Sequence, residues 1–160
     1  MAHELLVKEW LYKANQDFGF AKISLQEERA YFDQICFFFH QAAEKYLKAY
    51  IVKFDLKFKK EHNLVRLLKI CEEKDSSFAS LEEDGRFLTK FYFEARYPEP
   101  VFATYSLKEA EEAFSSAQQI AKFVKDKLDV KRKITLEELK RENEKIDKIL
   151  KRKLKKKSSS

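Results

Sequence analysis

The 160 residues hold 44% hydrophobic and 38% charged side chains, enough apolar matter for one sizeable core and far too much for a disordered chain. Only 2 glycines and 2 prolines are present, which argues against a sheet-rich fold needing frequent tight turns and excludes any glycine-rich phosphate loop. Net charge is +6, but it divides unevenly: residues 1–129 carry 20 Lys+Arg against 22 Asp+Glu, a net of −2, and residues 130–160 carry 13 against 5, a net of +8. The basicity belongs to the last thirty residues, and an argument for nucleic-acid binding from overall charge applies to them alone.

In chain order, the first element is set by Val7, Leu11, Ala14, Phe18, Ala21 and Leu25. Their alternating steps of four and three make one stripe on a helix of about 23 residues. The second helix, Ala30 to Lys57, carries two stripes side by side: Phe32, Ile35, Phe39, Ala42, Tyr46 and Ala49, then Cys36, Ala43, Leu47, Tyr50 and Phe54. A helix apolar over so much of its circumference packs on more than one side, so it is the central element, with surface left for a partner chain. The third starts near His62 and carries Leu64, Leu67, Leu68 and Cys71, ending in a polar loop at Glu73–Ser77. The fourth is expected from Ser80 to Arg96, stopped by Pro98, with Pro100 stiffening the loop beyond. Ser106 and Glu109 form a capping box for the fifth, whose stripe runs from Leu107 through Phe114 to Leu128. Beyond a charged Asp129–Lys133 hinge, Thr135 and Glu138 cap a sixth helix with Leu136, Leu139, Asn143, Ile146 and Leu150 at heptad spacing. That repeat is too short for an independent coiled coil, and the end is expected to fray. The organisation predicted is an all-α, five-helix up-and-down antiparallel bundle over residues 1–129 and a basic amphipathic tail, partly disordered, over 130–160.

Catalytic inventory is sparse. The three histidines, His3, His40 and His62, have no metal-ligand spacing between them or with carboxylates, so no metal or cofactor is expected. No nucleophile-elbow or Cys/His signature occurs. Cys36 and Cys71 read as buried, reduced thiols. No apolar run approaches the ~18 residues of a membrane span, and the first residues do not resemble a secretory leader, so a cytoplasmic protein without membrane contact is expected. What stands out is Gln41, Glu44, Lys45 and Lys48, a polar strip at i, i+3, i+4 and i+7 on an otherwise apolar helix. Lys45 and Lys48 offer cationic donors to an anion, and Gln41 offers a directional hydrogen bond. The tail offers a second charged surface, with Lys151, Arg152, Lys153, Lys155, Lys156 and Lys157 available to the phosphates of RNA or DNA.

Four segments taken together carry a family resemblance: Trp10 in the first helix; Gln41-x-x-Glu44-Lys45-x-x-Lys48-Ala49 in the second; His62-x-Leu64 opening the third; and Arg96-Tyr97-Pro98 closing the fourth. In this order and spacing, over about residues 5–128, they resemble the HEPN domain family. The resemblance implies a helical bundle, paired as a homodimer with a cleft between protomers. It also implies one of two functions: metal-independent RNA cleavage through an Arg-x4–6-His motif, or partnership with a small nucleotidyltransferase in a toxin–antitoxin-like pair. Here Tyr97, Pro98, Glu99, Pro100, Val101, Phe102 and Ala103 follow Arg96, and none is a histidine. Cleavage needs a base for the 2′-hydroxyl proton, and only His40 or His62 is left to supply it. The expectation is therefore a non-catalytic, homodimeric binding module with a nucleotidyltransferase partner. A nucleotide or other anion would sit at Gln41, Glu44, Lys45, Lys48, His62, Arg96 and Tyr97. The alternatives are a metal-independent endoribonuclease and a tail-mediated RNA- or DNA-binding protein. Arg96 has a structural alternative too, an ion pair with Glu44 or another carboxylate that fixes the helix end.

Overall fold

The computed structural model describes residues 2–27, 29–57, 60–92 and 104–158. It contains α1 (Ala2–Gln26), α2 (Phe32–Lys53), α3 (Leu64–Lys74), α4 (Glu82–Thr89), α5 (Leu107–Lys127) and α6 (Leu136–Ser158). Short 3₁₀ segments precede and follow α4, at Ser76–Leu81 and Lys90–Tyr92. The molecule is an all-α bundle with a C-terminal helix, and its central member is α2, which packs against α1, α3, α4 and α5. Two apolar stripes on one helix require this: Ile35, Phe39, Tyr46, Leu47 and Ile51 are all fully buried. Across from them α5 presents Ala110, Ala113, Ala117 and Ala121, small side chains that let two backbones approach closely. Phe18, Phe39 and Phe114 form an aromatic triangle with centroids 5.7–5.8 Å apart, joining α1, α2 and α5.

The capping predictions for the last two helices hold. Ser106 and Glu109 exchange side-chain and backbone hydrogen bonds at the start of α5. Thr135 and Glu138 do the same before α6.

Three boundaries differ from the sequence reading. Firstly, α2 ends at Lys53 rather than Lys57: Asp55 turns left-handed (φ 51°), and the Leu56 and Asp55 amides donate to the Ile51 and Val52 carbonyls. Asp129 does the same after α5 (φ 53°), with Val130 and Asp129 donating to Lys125 and Asp126. Both are Schellman closures with aspartate where glycine is usual. Secondly, the loop expected at Glu73–Ser77 shrinks to Asp75, because α3 continues through Lys74 and the Asp75 carboxylate accepts the Ser77 amide at 3.0 Å to start the next 3₁₀ turn. Thirdly, the long fourth helix is a short one. Thr89 donates to the Gly85 carbonyl at 2.7 Å and accepts the Leu64 amide at 3.1 Å, and from Lys90 the helix tightens into a 3₁₀ turn. Residues 93–103, with Arg96, Tyr97, Pro98 and Pro100, lie outside the described residues.

In the tail, helix is present through Ser158 where a frayed end is expected from sequence. Its root rests on the bundle: Leu139 is buried, and Lys8 of α1 pairs with Glu142. Between them lies a cavity of about 270 Å³, floored by Val7, Leu11, Leu128, Val130 and Ile134. No helix among the described residues is long and apolar enough to cross a membrane.

Candidate functional site

At the corner where α2 meets the start of α3, a carboxylate is taken out of water. Glu44 lies in the middle of α2 and is buried, so its charge needs partners. Lys48, one turn on, donates to Glu44 Oε1 at 2.6 Å. From the start of α3, His62 Nδ1 stands 3.1 and 3.2 Å from the two Glu44 oxygens and donates to them. The helical step of four places His40, Glu44 and Lys48 in one line along α2, and His40 Nδ1 lies 4.0 Å from Glu44 Oε2.

His40 is wholly buried, and its Nε2 donates to the His62 carbonyl at 3.0 Å. That bond fixes the tautomer and carries the chain past the corner. Burial pushes the His40 imidazole below its usual range despite the opposing pull of Glu44, so it is neutral and its Nδ1 is a bare acceptor. Gln41 Oε1 stands 3.2 Å from that nitrogen. Two acceptors share no hydrogen bond, so a neutral His40 with its proton on Nε2 requires the Gln41 amide to turn its NH₂ toward the ring. Tyr92 closes the corner, its ring stacked on His62 with centroids 4.5 Å apart and planes 11° apart. The aromatic face of Trp10, on α1, lies 5.4 Å from the Lys48 ammonium.

The predicted polar strip is thus divided. Gln41, Glu44 and Lys48 join His62 at the corner, whereas Lys45 is turned to α1 and paired with Asp17. Lys45 is therefore not a member of the cluster, and a carboxylate already neutralises its charge. Arg96 and Tyr97 lie outside the described residues, as does any pairing of Arg96 with Glu44. Tyr92 and Asp17 are not among the residues expected at the site, and His40 enters that expectation only as a candidate base for cleavage. His40 was marked in the sequence by its i, i+4 relation to Glu44; Tyr92 reads there as one more apolar residue of the fourth helix. His62 Nε2 has no hydrogen-bond partner among the described residues, and its side chain is 32% exposed. No group of three His, Cys, Asp or Glu among the described residues is placed to hold a metal ion. Both thiols are buried and pushed up to about 12, which makes them chemically quiet.

A central helix carrying a buried His–Glu–Lys line, answered by a histidine at the opening of the next helix, defines an α-helical bundle class with its polar site at one interhelical corner. The family profile of the HEPN domain matches residues 7–128, and the chain belongs to that family. Two solved structures are similar. TT1696 from Thermus thermophilus is 31% identical with a TM-score of 0.68, covering 76% of this chain and 97% of its own. ST0689, described as an archaeal HEPN homologue, is 25% identical with a TM-score of 0.61, covering 76% of this chain and 96% of its own. No functionally curated protein matches the chain. The family match ends at Leu128, so α6 is an addition to the shared bundle.

Proposed function

We propose that this HEPN domain is a non-catalytic binding module that pairs with a second copy of itself and with a small nucleotidyltransferase, and that takes a nucleotide or similar anion at the His62 corner. What supports an anion site is the partly exposed His62, whose Nε2 has no partner among the described residues; the neighbouring cations are already held, Lys48 by Glu44 and Lys45 by Asp17. An anion gains little from cations so compensated, so its charge would fall to Arg96 and its hydrogen bonds to Tyr97 and to His62 Nε2, the latter only when the ring carries both protons, since Nδ1–H is given to Glu44. The corner itself is held by the Glu44 carboxylate and the stacked Tyr92 ring. No histidine follows His62 in the chain, which withholds the family's cleavage motif.

The test is calorimetry with ATP and GTP, alongside capture of partners from host lysate with the captured protein identified. The reading requires nucleotide affinity that falls at least tenfold in Arg96→Ala and His62→Ala without loss of melting temperature in the former. Unchanged affinity with lowered stability would make the corner purely structural.

A second reading, metal-independent RNA cleavage, is favoured by one feature. His62 is anchored through Nδ1 by a carboxylate and has Nε2 without a partner among the described residues, the arrangement of an oriented general base. His40 is unsuited to that role, being buried with both ring nitrogens engaged. RNA cleavage in EDTA that disappears in His62→Ala and persists in His40→Gln would establish it.

A further inference from the structure

The end of α6 is a basic rod held out from the bundle. Its root is fixed at several points: Arg132 grips both Glu138 oxygens at 2.7 and 2.8 Å, Leu139 is buried, Glu142 pairs with Lys8, and Ile146 lines a shallow cavity with Glu4. Beyond Ile146 the side chains through Ser158 are exposed, apart from half-buried Ile149, and this stretch of helix is about 18 Å long. From Lys151 to Lys157 it carries six basic side chains and no acidic one. At 100° per residue these six span about 240° of the circumference, leaving one narrow arc for Leu150 and Leu154, which are 52% and 67% exposed.

We infer that this rod is a binding element for duplex DNA, inserted into the major groove so that cations on opposite sides reach the two phosphate walls. The distribution of charge selects the occupant. A membrane surface is met by a helix with one broad apolar face, and here that face is two leucines without an aromatic residue. An acidic protein helix would be answered by one charged stripe, whereas this helix is cationic on most of its surface. A helix with side chains is about 10–12 Å across and the B-form major groove about 12 Å wide; the A-form RNA major groove is too narrow for it. The element lies outside the matched family region, and this inference does not depend on the nucleotidyltransferase reading.

The experiment is fluorescence anisotropy with a labelled 20-base-pair DNA duplex, the RNA duplex of the same sequence, and vesicles containing phosphatidylserine. The full chain is compared with Leu150→Pro, which breaks the rod and keeps every charge, and with a Lys153→Gln/Lys156→Gln/Lys157→Gln variant. DNA binding is expected to weaken with salt at a log–log slope of about −4 to −5, set by counterion release from the contacted phosphates. The triple variant should reduce that slope by about 2 to 3. Leu150→Pro should lose at least tenfold in affinity while its circular dichroism keeps the bundle's helix. No DNA binding at ~100 mM salt, equal binding by Leu150→Pro, equal affinity for duplex RNA, or binding to vesicles alone would each overturn the inference.

Discussion

Burying a titratable group commits a protein to one protonation state, and His40 shows the consequence. Its imidazole is held neutral by burial, its Nε2 proton is spent on the His62 carbonyl, and the Gln41 amide lies against its other nitrogen. Because its folded pKa lies below that of an unfolded histidine, near 6.5, the unfolded chain binds more protons in the interval between them. The stabilisation is complete above about pH 6.5 and is lost as pH falls toward the folded value. Urea midpoints measured from pH 7.5 to pH 5 should fall steeply, and His40→Gln should flatten the curve by up to about 1.4 kcal/mol per pH unit. A variant as steep as the parent would show that His40 does not titrate with unfolding. A second outcome at this scale concerns Cys36 and Cys71, which should not react with a disulfide reagent until the chain unfolds; modification of the native protein at the same rate as denatured protein would contradict their burial. The sequence pattern identified both thiols as core, and it picked out the polar strip of α2, because helical spacing settles which residues share a face. It did not divide the strip. Gln41, Glu44, Lys45 and Lys48 spread over about 100° of a helix with neighbours on both sides. Periodicity alone does not say that Lys45 leans to Asp17 on α1 while Glu44 turns to His62 just before α3.

Among the helices, the features easiest to read were those with their own side-chain chemistry. Ser106 with Glu109 and Thr135 with Glu138 declare two helix starts, and both starts are where the spacing put them. The helix ends were harder, because in a chain with 2 glycines the usual stop residue is missing. Aspartate takes that place at Asp55 and Asp129, adopting a left-handed conformation that costs an ordinary residue about 1 kcal/mol or more. Asp55→Gly and Asp129→Gly should therefore each raise stability by about 0.5–1 kcal/mol in urea unfolding, since relief of strain exceeds the added chain entropy. Destabilisation in both would mean the aspartate side chains do more than permit the turn. The two glycines themselves behave oppositely. Gly19 is mid-helix, and a Cβ added there would meet nothing within 4 Å, so Gly19→Ala should gain about 0.5–1 kcal/mol through helix propensity. At Gly85 an added Cβ would stand 2.6 Å from Leu68 Cδ1, a fully buried side chain between α3 and α4. Overpacking there costs about 1–3 kcal/mol against the same propensity gain, so Gly85→Ala should be neutral to destabilising. If both substitutions stabilised equally, the close approach of α4 to α3 would be disproved.

At the level of the whole molecule, burial is incomplete in one place that the bundle does not explain. Phe20 and Ile23, one turn apart near the end of α1, are each 56% exposed, and Tyr31 in the connection to α2 is 67% exposed. The half-buried Phe38 ring stands 5.1 Å from that of Phe20 and 5.6 Å from that of Phe37. Isolated exposed apolar residues are ordinary, but the linked rings of Phe20, Phe38 and Phe37, with exposed Ile23 one turn along α1 from Phe20, suit an interface. A stable dimer buries about 800 Å² from each partner, so these residues would form its centre rather than its whole area, and central aromatic side chains typically contribute about 2 kcal/mol or more each. The consequence separates assembly from folding. If the chain pairs with itself as proposed, sedimentation of Phe20→Ser/Ile23→Ser should show that pair dissociating at least tenfold more readily, while monomer stability changes by about 0.5 kcal/mol or less, as for other surface changes. The opposite pattern, an unchanged oligomeric state with a large loss of stability, would assign the patch to the monomer's own core and remove it as the proposed self-pairing surface.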